Sequence, residues 1–357
     1  MGAEEGQGRE VRKRILITGG AGLVGSHAAD YFAKKRWRVV VLDNLKRSAL
    51  FRAGRKSVEY NWRHLAQFPT IERIRGDVRS ARDVRRALGK GVDAVLHAAG
   101  QPGVGFSIQD PQEDFSINAG GTLSVLENVR KISPKAAFIL CSTNKIYGEN
   151  VDRIPLSEGK SRYRFRKIRG ICETFPIDLT AHTPYGVSKY SADLYAQEYG
   201  RFYKMRTAVF RMSCIYGTRQ FGFEDQGWLA HFVIQSVMKR PLTIYGNGKQ
   251  VRDVLFVTDL VRAYERFLHS SVRHEVFNIG GGPGQTLSLL ELLDHLQEKL
   301  GYRTKIRYGP WRPSDQKVYI SDIGKIEKRL GWRPRIGFEE GFQRLLEWVL
   351  TNRSFFR

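Results

Sequence analysis

A run of glycines near the start of the chain constrains the fold more than any other feature. The stretch TGGAGLVGS (residues 18–26) follows the apolar run RILIT and precedes SHAADYFAKK, which has helical spacing. Gly19, Gly22 and Gly25 recur every third residue, and Gly20 completes the pattern G-x-G-x-x-G. Glycines between a strand and a helix permit a tight turn and a close backbone approach to a pyrophosphate. The stretch therefore predicts a βαβ unit with a dinucleotide site.

Five apolar runs alternate with helical runs in the first part of the chain. They are RILITGG (14–20), WRVVVLDN (37–44), TIERIRGDV (70–78), VDAVLHAAG (92–100) and AAFILCST (136–143). Near-continuous apolar strands that alternate with helices indicate a parallel sheet covered on both faces. The sequence thus predicts an α/β fold with a doubly wound parallel sheet, the Rossmann fold. Its ligands are expected beyond the carboxyl ends of the strands.

Asp43 ends the second predicted strand, eighteen residues after Gly25. In isolation such an aspartate is more often a turn residue, but the glycines before it favour a cofactor role. A carboxylate here accepts hydrogen bonds from the adenosine ribose hydroxyls and repels a 2′-phosphate, which predicts NAD rather than NADP. The residues expected to line the NAD site are Gly19, Gly22, Leu23, Val24, Gly25, Asp43, Asn44, Asp77, Val78, Ala98, Ala99, Gly100 and Ser142.

The pattern of strands and helices loosens after about residue 212. We expect an NAD-binding domain over residues 1–212 and a smaller C-terminal substrate-binding domain over residues 213–357, with segments interleaved between the two lobes. The irregular residues 149–184 are interpreted as a long solvated loop near the site.

The chain is strongly basic, with 59 Lys and Arg against 36 Asp and Glu and a formal charge of +23. Such a charge favours anionic partners. A small anionic substrate is the favoured interpretation over nucleic acid, for which RYRFRKIRG (162–170) interleaves basic and aromatic residues. Cys141, Cys172 and Cys214 show neither a disulfide nor a metal-ligand pattern, so no metal is expected. Without a signal peptide or a membrane-spanning segment, a cytoplasmic protein is predicted.

A tyrosine and a lysine lie one turn apart on a helix predicted to begin at Pro184. Tyr185 and Lys189 fall in TPYGVSKYSADLYAQEYG at positions i and i+4, so they share one helix face. An ammonium near a phenol favours the phenolate, and a nicotinamide cation favours it further. We therefore expect Tyr185 to act as a general base below its ordinary pKa of about 10.

Together these motifs resemble the extended short-chain dehydrogenase/reductase family of NAD-dependent sugar-nucleotide epimerases and dehydratases. The resemblance covers essentially the whole chain and rests on TGGAGLVGS, HAAGQ, CSTNKIYG, PYGVSK, GNGKQVRDVLFVTDL and WRPSDQ. It implies that Thr143, Tyr185 and Lys189 form the catalytic triad, with Tyr185 and Lys189 also contacting NAD. It further implies that Asn118 supports the cofactor pocket, and that the protein forms a homodimer.

The stretch CSTNKIYG (141–148) separates the possible reactions. Related 4,6-dehydratases place an Asp-Glu pair directly after the threonine, to remove the C5 proton and expel water from C6. Here Asn144 and Lys145 follow Thr143, and an amide and an amine cannot act as that carboxylate pair. An epimerase needs only hydride transfer to NAD and return to the other face. The sequence favours epimerisation, although Asn144 and Lys145 could instead be a simple turn.

The resemblance also implies a substrate. The runs STNKIYG, TPYGVSK, YGTRQFGFEDQGW, GNGKQVRDVL and SDQKV are most similar to those of 2-epimerases that convert CDP-paratose to CDP-tyvelose. Guanidinium groups suit a diphosphate, and by resemblance Arg252 and Arg312 contact it. The residues implied to bind the sugar nucleotide are Thr143, Asn144, Gln226, Tyr245, Arg252, Arg312 and Asp315.

Two alternatives remain open at this point. A UDP-hexose 4-epimerase would share every catalytic residue, so the substrate is expected to be a CDP-sugar or a UDP-sugar. A catalytically idle relative that binds RNA through a basic surface is the other alternative, which the intact Thr143, Tyr185 and Lys189 disfavour.

Overall fold

The computed structural model describes residues 13–47 and 56–356. The strands are β1 (Arg14–Thr18), β2 (Arg38–Asp43), β3 (Ile71–Arg75), β4 (Ala94–His97), β5 (Ala137–Thr143), β6 (Leu156–Glu158), β7 (Tyr163–Phe165), β8 (Arg206–Met212), β9 (Cys214–Tyr216), β10 (Leu242–Tyr245), β11 (Val251–Phe256), β12 (His274–Ile279), β13 (Thr286–Ser288), β14 (Ile306–Gly309) and β15 (Val318–Tyr319).

The helices are α1 (Leu23–Lys34), α2 (Lys56–Leu65), α3 (Ala81–Leu88), α4 (Val104–Gln109), α5 (Pro111–Phe115), α6 (Gly121–Ile132), α7 (Pro184–Arg201), α8 (Trp228–Val237), α9 (Val257–His269), α10 (Leu289–Leu300), α11 (Gly324–Leu330) and α12 (Phe338–Thr351). A turn of π-helix (Ser116–Gly120) joins α5 to α6, and a 3₁₀ segment (Asn144–Arg153) follows β5. None of the helices in the described part of the chain is long and apolar enough to cross a membrane.

Seven of the described strands form one parallel sheet in the order β3-β2-β1-β4-β5-β8-β12. The strand order reverses between β1 and β4, and ligands of doubly wound sheets bind at such a switch point. The predicted Rossmann fold is confirmed, and each of the five apolar runs contains one of its strands.

Alternate residues of the central strands pack on opposite faces of the sheet. In β1, Ile15 and Ile17 are buried on one face, whereas Leu16 is buried on the other. Val39 and Val40 divide in the same way in β2. Because helices cover both faces, successive positions in the middle of these strands are apolar, and the sequence shows a nearly continuous apolar run rather than an alternating one.

Two features bear on the expected division of the chain near residue 212. Strand β12 returns to the edge of the large sheet, next to β8. A separate hydrophobic cluster joins α8, α10 and α12 with β10. We propose a boundary near residue 212 between a cofactor lobe and a substrate lobe, with β12 as the segment that passes back.

Residues 149–184 contain more structure than the loop that the sequence predicted. Strands β6 and β7 form an antiparallel hairpin, and Tyr163 and Phe165 pack inward from β7. Each strand has only three residues, too few for a periodic pattern to reveal it.

Candidate active site

A cleft of about 350 Å³ opens beyond the carboxyl ends of the central strands. Most of the residues that the sequence predicted for the cofactor and the reaction line it. They are Gly19, Gly22, Leu23, Val24, Gly25, Asp43, Asn44, Asp77, Val78, Ala98, Ala99, Gly100, Ser142, Thr143, Tyr185, Lys189 and Gln226. In residues 13–47 and 56–356 no group of three or more His, Cys, Asp or Glu side chains could hold a metal ion.

The glycine turn between β1 and α1 brings backbone to the floor of this cleft. Gly19 has φ +69°, and a Cβ there would lie 2.6 Å from the Ala99 nitrogen. A Cβ on Gly25 would collide with the Gly19 carbonyl oxygen. No side chain caps the N-terminus of α1 at Gly22, and Leu23, Val24 and Gly25 of its first turn line the cleft. This geometry fits the pyrophosphate of NAD.

Asp43 fixes the glycine turn as well as facing the cleft. One carboxylate oxygen accepts a hydrogen bond from the Ala21 N–H at 2.9 Å, and the other accepts one from the Leu45 N–H at 2.8 Å. Burial raises the pKa of Asp43, and the two backbone hydrogen bonds lower it. Each oxygen keeps a second lone pair, so the side chain can still accept from ribose hydroxyls. The turn role and the proposed cofactor role therefore coexist.

The end of β3 carries a polar network. Asn44 donates to Asp77 at 3.0 Å, and Arg79 forms ion pairs with Asp77 at 2.9 Å and with Glu113 at 2.7 Å. Together these contacts hold Asp77 at the cleft wall. Arg79 was not predicted from the sequence, because a single arginine in a strongly basic chain cannot be distinguished from the others.

Arg47 was also missed, although it lines the cleft. Its guanidinium donates to the Gln226 side chain at 2.6 Å, and burial lowers the pKa of Arg47 to about 10. Gln226 therefore lies on the cofactor cleft, tied to the segment after β2.

The predicted catalytic side chains meet on one wall of the cleft. Thr143 ends β5 and lies beside Tyr185 in the first turn of α7, where both residues line the cleft. Thr183 caps α7 by accepting from the Gly186 N–H at 3.2 Å, and Pro184 occupies the first turn. The Lys189 ammonium donates to the Cys141 carbonyl at 2.7 Å.

The groups of the protein alone do not lower the pKa of Tyr185. Burial raises the pKa of Tyr185 to about 12, and the neighbouring Thr143 side chain offsets this only in part. Burial also lowers the pKa of Lys189. The cause is desolvation, which disfavours the charged form of each group. The spacing of Tyr185 and Lys189 in the sequence could not reveal how strongly the folded protein desolvates them.

Two of the predicted residues act beneath the cleft surface. The Asn118 amide accepts from the Gln101 N–H at 2.9 Å and donates to the Gln101 carbonyl at 3.1 Å and to Ser188 at 3.0 Å. It is 1% exposed and does not line the cleft. Ser142 turns its hydroxyl to Asp193 at 2.9 Å, so only the rest of Ser142 can face a cofactor.

The Asp193 carboxylate also forms an ion pair with Arg211 on β8, at 3.0 Å. This buried ion pair joins α7, β5 and β8 directly behind the catalytic residues. No pattern in the sequence reveals this ion pair, because Asp193 and Arg211 lie on separate elements.

The other predicted substrate residues lie around a second cleft. Arg312 and Asp315 line it, and Arg252 donates to Asp315 at 2.6 Å. The Arg312 guanidinium lies 3.8 Å from the centre of the Tyr245 ring and forms an ion pair with Glu224 at 3.1 Å. Both predicted arginines are therefore compensated by carboxylates, which the sequence analysis did not anticipate.

Asn144 lies at the base of the catalytic wall, outside both clefts. It is 8% exposed, and its side-chain oxygen accepts from the Thr143 hydroxyl at 3.4 Å. This contact places Asn144 beside the triad, but Asn144 does not line the surface of either cleft.

Residues 15–280 match the NAD dependent epimerase/dehydratase family, and the chain belongs to this family. It is 38% identical over 345 residues to CDP-paratose 2-epimerase of Salmonella typhi, covering 94% of this chain and 99% of that protein.

Two solved structures share the whole fold. UDP-glucose 4-epimerase of Thermotoga maritima with UDP-glucose has a TM-score of 0.80 at 29% identity, covering 95% of this chain and 99% of that one. UDP-glucuronic acid 4-epimerase of Bacillus cereus, in complex with UDP-glucuronic acid and NAD, has a TM-score of 0.79 at 26% identity, with the same coverage. The family resemblance drawn from the motifs is confirmed, as is NAD as the cofactor of the family.

Proposed function

We propose that this protein is an NAD-dependent epimerase acting at C2 of a CDP-activated deoxyhexose, with CDP-paratose converted to CDP-tyvelose. The observation that carries the proposal is the catalytic wall. Thr143 and Tyr185 lie side by side at the cofactor cleft, while Asn144 and Lys145 follow where dehydration would require carboxylates. The similarity to the Salmonella typhi enzyme over nearly its whole length supports the choice of sugar and base.

Each residue of the wall has a distinct task in this reaction. NAD, when bound, supplies the acceptor and donor of one hydride. Thr143 holds the oxygen of the reacting hydroxyl, and Tyr185 takes its proton and later returns it. Since burial alone keeps Tyr185 as a neutral phenol, proton abstraction requires a further positive charge beside the ring. We propose that Lys189, held one helical turn from Tyr185 by its hydrogen bond to the Cys141 carbonyl, supplies part of that charge.

The experiment that tests the proposal offers three substrates to the NAD-loaded protein. CDP-paratose, CDP-glucose and UDP-galactose are incubated separately, and the products are assigned by NMR. We expect inversion at C2 of CDP-paratose. Inversion only at C4, or loss of water from any of the sugars, would reject the proposal.

A UDP-hexose 4-epimerase is the second candidate. The similarity to the Thermotoga maritima structure with UDP-glucose favours it, because the same triad serves inversion at either carbon. Turnover of UDP-galactose without turnover of CDP-paratose would establish this candidate instead.

The RNA-binding alternative loses its main support. Tyr163 of the basic stretch is 7% exposed and accepts a hydrogen bond from Asn247 at 2.7 Å. A ring held in this way is not free to stack on a base, which single-stranded RNA recognition commonly uses.

We also propose that the protein is a homodimer through α7. Val187, Leu194 and Tyr195 lie on one stripe of this helix and are 50%, 42% and 43% exposed, and Phe202 beyond its end is 74% exposed. An apolar stripe on a surface helix matches the self-complementary contact of a two-fold dimer.

A further inference from the structure

A group of charged side chains separates the two clefts. Cys214 lines the first cleft, whereas Asp152 and Asp315 line the second. Burial raises the pKa of the Cys214 thiol to about 11, and the nearby charges of Arg252 and Lys145 lower it. The same two cations lower the pKa of Asp152 against its burial. Lys145 hydrogen-bonds the Ser314 carbonyl at 3.1 Å and Arg252 pairs with the next residue, Asp315, at 2.6 Å, so the two cations contact the same loop at the edge of the second cleft.

The two cations are not equally compensated. Arg252 is paired with Asp315 at 2.6 Å. Lys145 is partly buried and, within the described residues, forms no ion pair of its own; its ammonium donates one hydrogen bond, to the Ser314 carbonyl at 3.1 Å. A lysine ammonium has three N–H donors, so two remain for a ligand.

Two like charges in a partly desolvated site each raise the free energy of keeping the other charged. An anion bound between them offsets this repulsion. A nucleotide sugar with its sugar at Thr143 and its nucleoside in the second cleft must pass its diphosphate between the clefts. We infer that Lys145, together with Arg252, binds this diphosphate. The inference rests on the proposed function only for the presence of a nucleoside diphosphate.

This role gives a physical reason for an amine two residues after the catalytic threonine. Thr143 ends β5, and the 3₁₀ segment that begins at Asn144 carries Lys145 away from the reacting carbon and toward the Ser314 loop. One short segment would then hold two neighbouring parts of the substrate: Thr143 the reacting hydroxyl at C2, and Lys145 the phosphate on the adjacent anomeric carbon.

The test compares ligands with and without phosphates on the NAD-loaded protein. Titration calorimetry measures CDP, UDP, dTDP, GDP and the nucleoside of the tightest binder, with wild type, Lys145→Met and Lys145→Arg. A hydrogen bond to a charged group supports an expected loss of about 10- to 100-fold in diphosphate affinity for Lys145→Met. Nucleoside affinity should stay within about threefold, and Lys145→Arg should recover part of the loss because it keeps the charge.

Lys249→Met is the matched control, since Lys249 pairs with Glu158 on the β6–β7 hairpin and should leave both affinities unchanged. Equal losses for nucleoside and diphosphate would show that Lys145 only supports the Ser314 loop, and would overturn the inference. An unchanged diphosphate affinity, or no diphosphate binding by wild type, would overturn it too. Selective loss without turnover of CDP-paratose would leave the inference standing and reject the proposed function.

Discussion

At the scale of single residues, the environment of each catalytic group matters more than its identity. Tyr185 and Lys189 are both dry, and burial moves both pKa values toward the neutral forms. A buried phenol with a raised pKa stays protonated at neutral pH, so Tyr185 cannot accept the substrate proton without a nearby positive charge. Proton abstraction by Tyr185 therefore requires a positive charge that a bound cofactor brings to the cleft. This requirement couples proton transfer to cofactor binding.

Tyr185→Phe should abolish epimerisation while leaving NAD and nucleotide sugar bound. The ring still fills its buried position, so only the hydroxyl that carries the proton is lost. General acid/base groups contribute about 10²- to 10⁴-fold, so kcat should fall by that factor with little change in binding. Steady-state kinetics and calorimetry measure the two effects. Tyr190→Phe, on the same helix but outside the cleft, is the control, and near wild-type turnover by Tyr185→Phe would disprove the assignment.

Asp43→Asn should weaken NAD binding and relax the exclusion of NADP. The ribose hydroxyls lose a charged acceptor worth about 1.5 to 3 kcal/mol, and the repulsion of a 2′-phosphate disappears. Dissociation constants for both cofactors, with the melting temperature of the ligand-free variant, separate the two roles of this carboxylate. A lower melting temperature with an unchanged NAD affinity would mean that Asp43 only ties the turn through Ala21 and Leu45.

At the scale of elements, a buried histidine holds the central strands to a helix. His97 ends β4, and its ring nitrogens hydrogen-bond Thr18 of β1 at 2.7 Å and Thr122 of α6 at 3.0 Å. Burial lowers the pKa of His97 to about 3. The imidazole is thus neutral in the folded protein and serves as a polar link inside an otherwise apolar sheet.

His97 should make the protein sensitive to acid. Its folded-state pKa lies below the unfolded value of about 6.5, so the unfolded chain binds the proton first. The stability that His97 contributes is complete above pH 6.5 and is lost as the pH falls toward 3. His97→Gln should reduce the slope of unfolding free energy by about 1.4 kcal/mol per pH unit between pH 6 and 4. Urea unfolding at several pH values checks this, and parallel curves for the two proteins would contradict it.

At the scale of the whole molecule, a large positive net charge occurs together with an exposed apolar stripe. The chain carries a formal charge of +23, yet α7 presents apolar side chains to the outside. The same helix carries Tyr185 and Lys189 on its inner face. A dimer through α7 would therefore place the subunit contact directly behind the catalytic wall and restrict its motion.

Leu194→Glu should convert the proposed dimer to a monomer. Leu194 is 42% exposed at the middle of the apolar stripe, and a two-fold contact would bring two new carboxylates together. Sedimentation velocity measures the change in mass. Gln343→Glu on α12, a helix of the separate C-terminal cluster, adds the same charge elsewhere and should leave the mass unchanged. A monomeric wild type would refute the dimer.

Features that depend on neighbours in the chain could be predicted from the order of residues. The glycine turn, the apolar strands and the Tyr185 to Lys189 spacing are local, and each follows from backbone geometry or from the two-sided burial of a parallel sheet. These patterns were enough to predict the fold, NAD and the composition of the main cleft. The tertiary structure alone decided what distant segments do to one another. Asp193 forms an ion pair with Arg211, and Arg312 forms one with Glu224. Burial of the site raises the pKa of Tyr185 instead of lowering it. Ion pairs between separate elements and desolvation depend on packing in three dimensions, for which the order of residues carries no periodic signal.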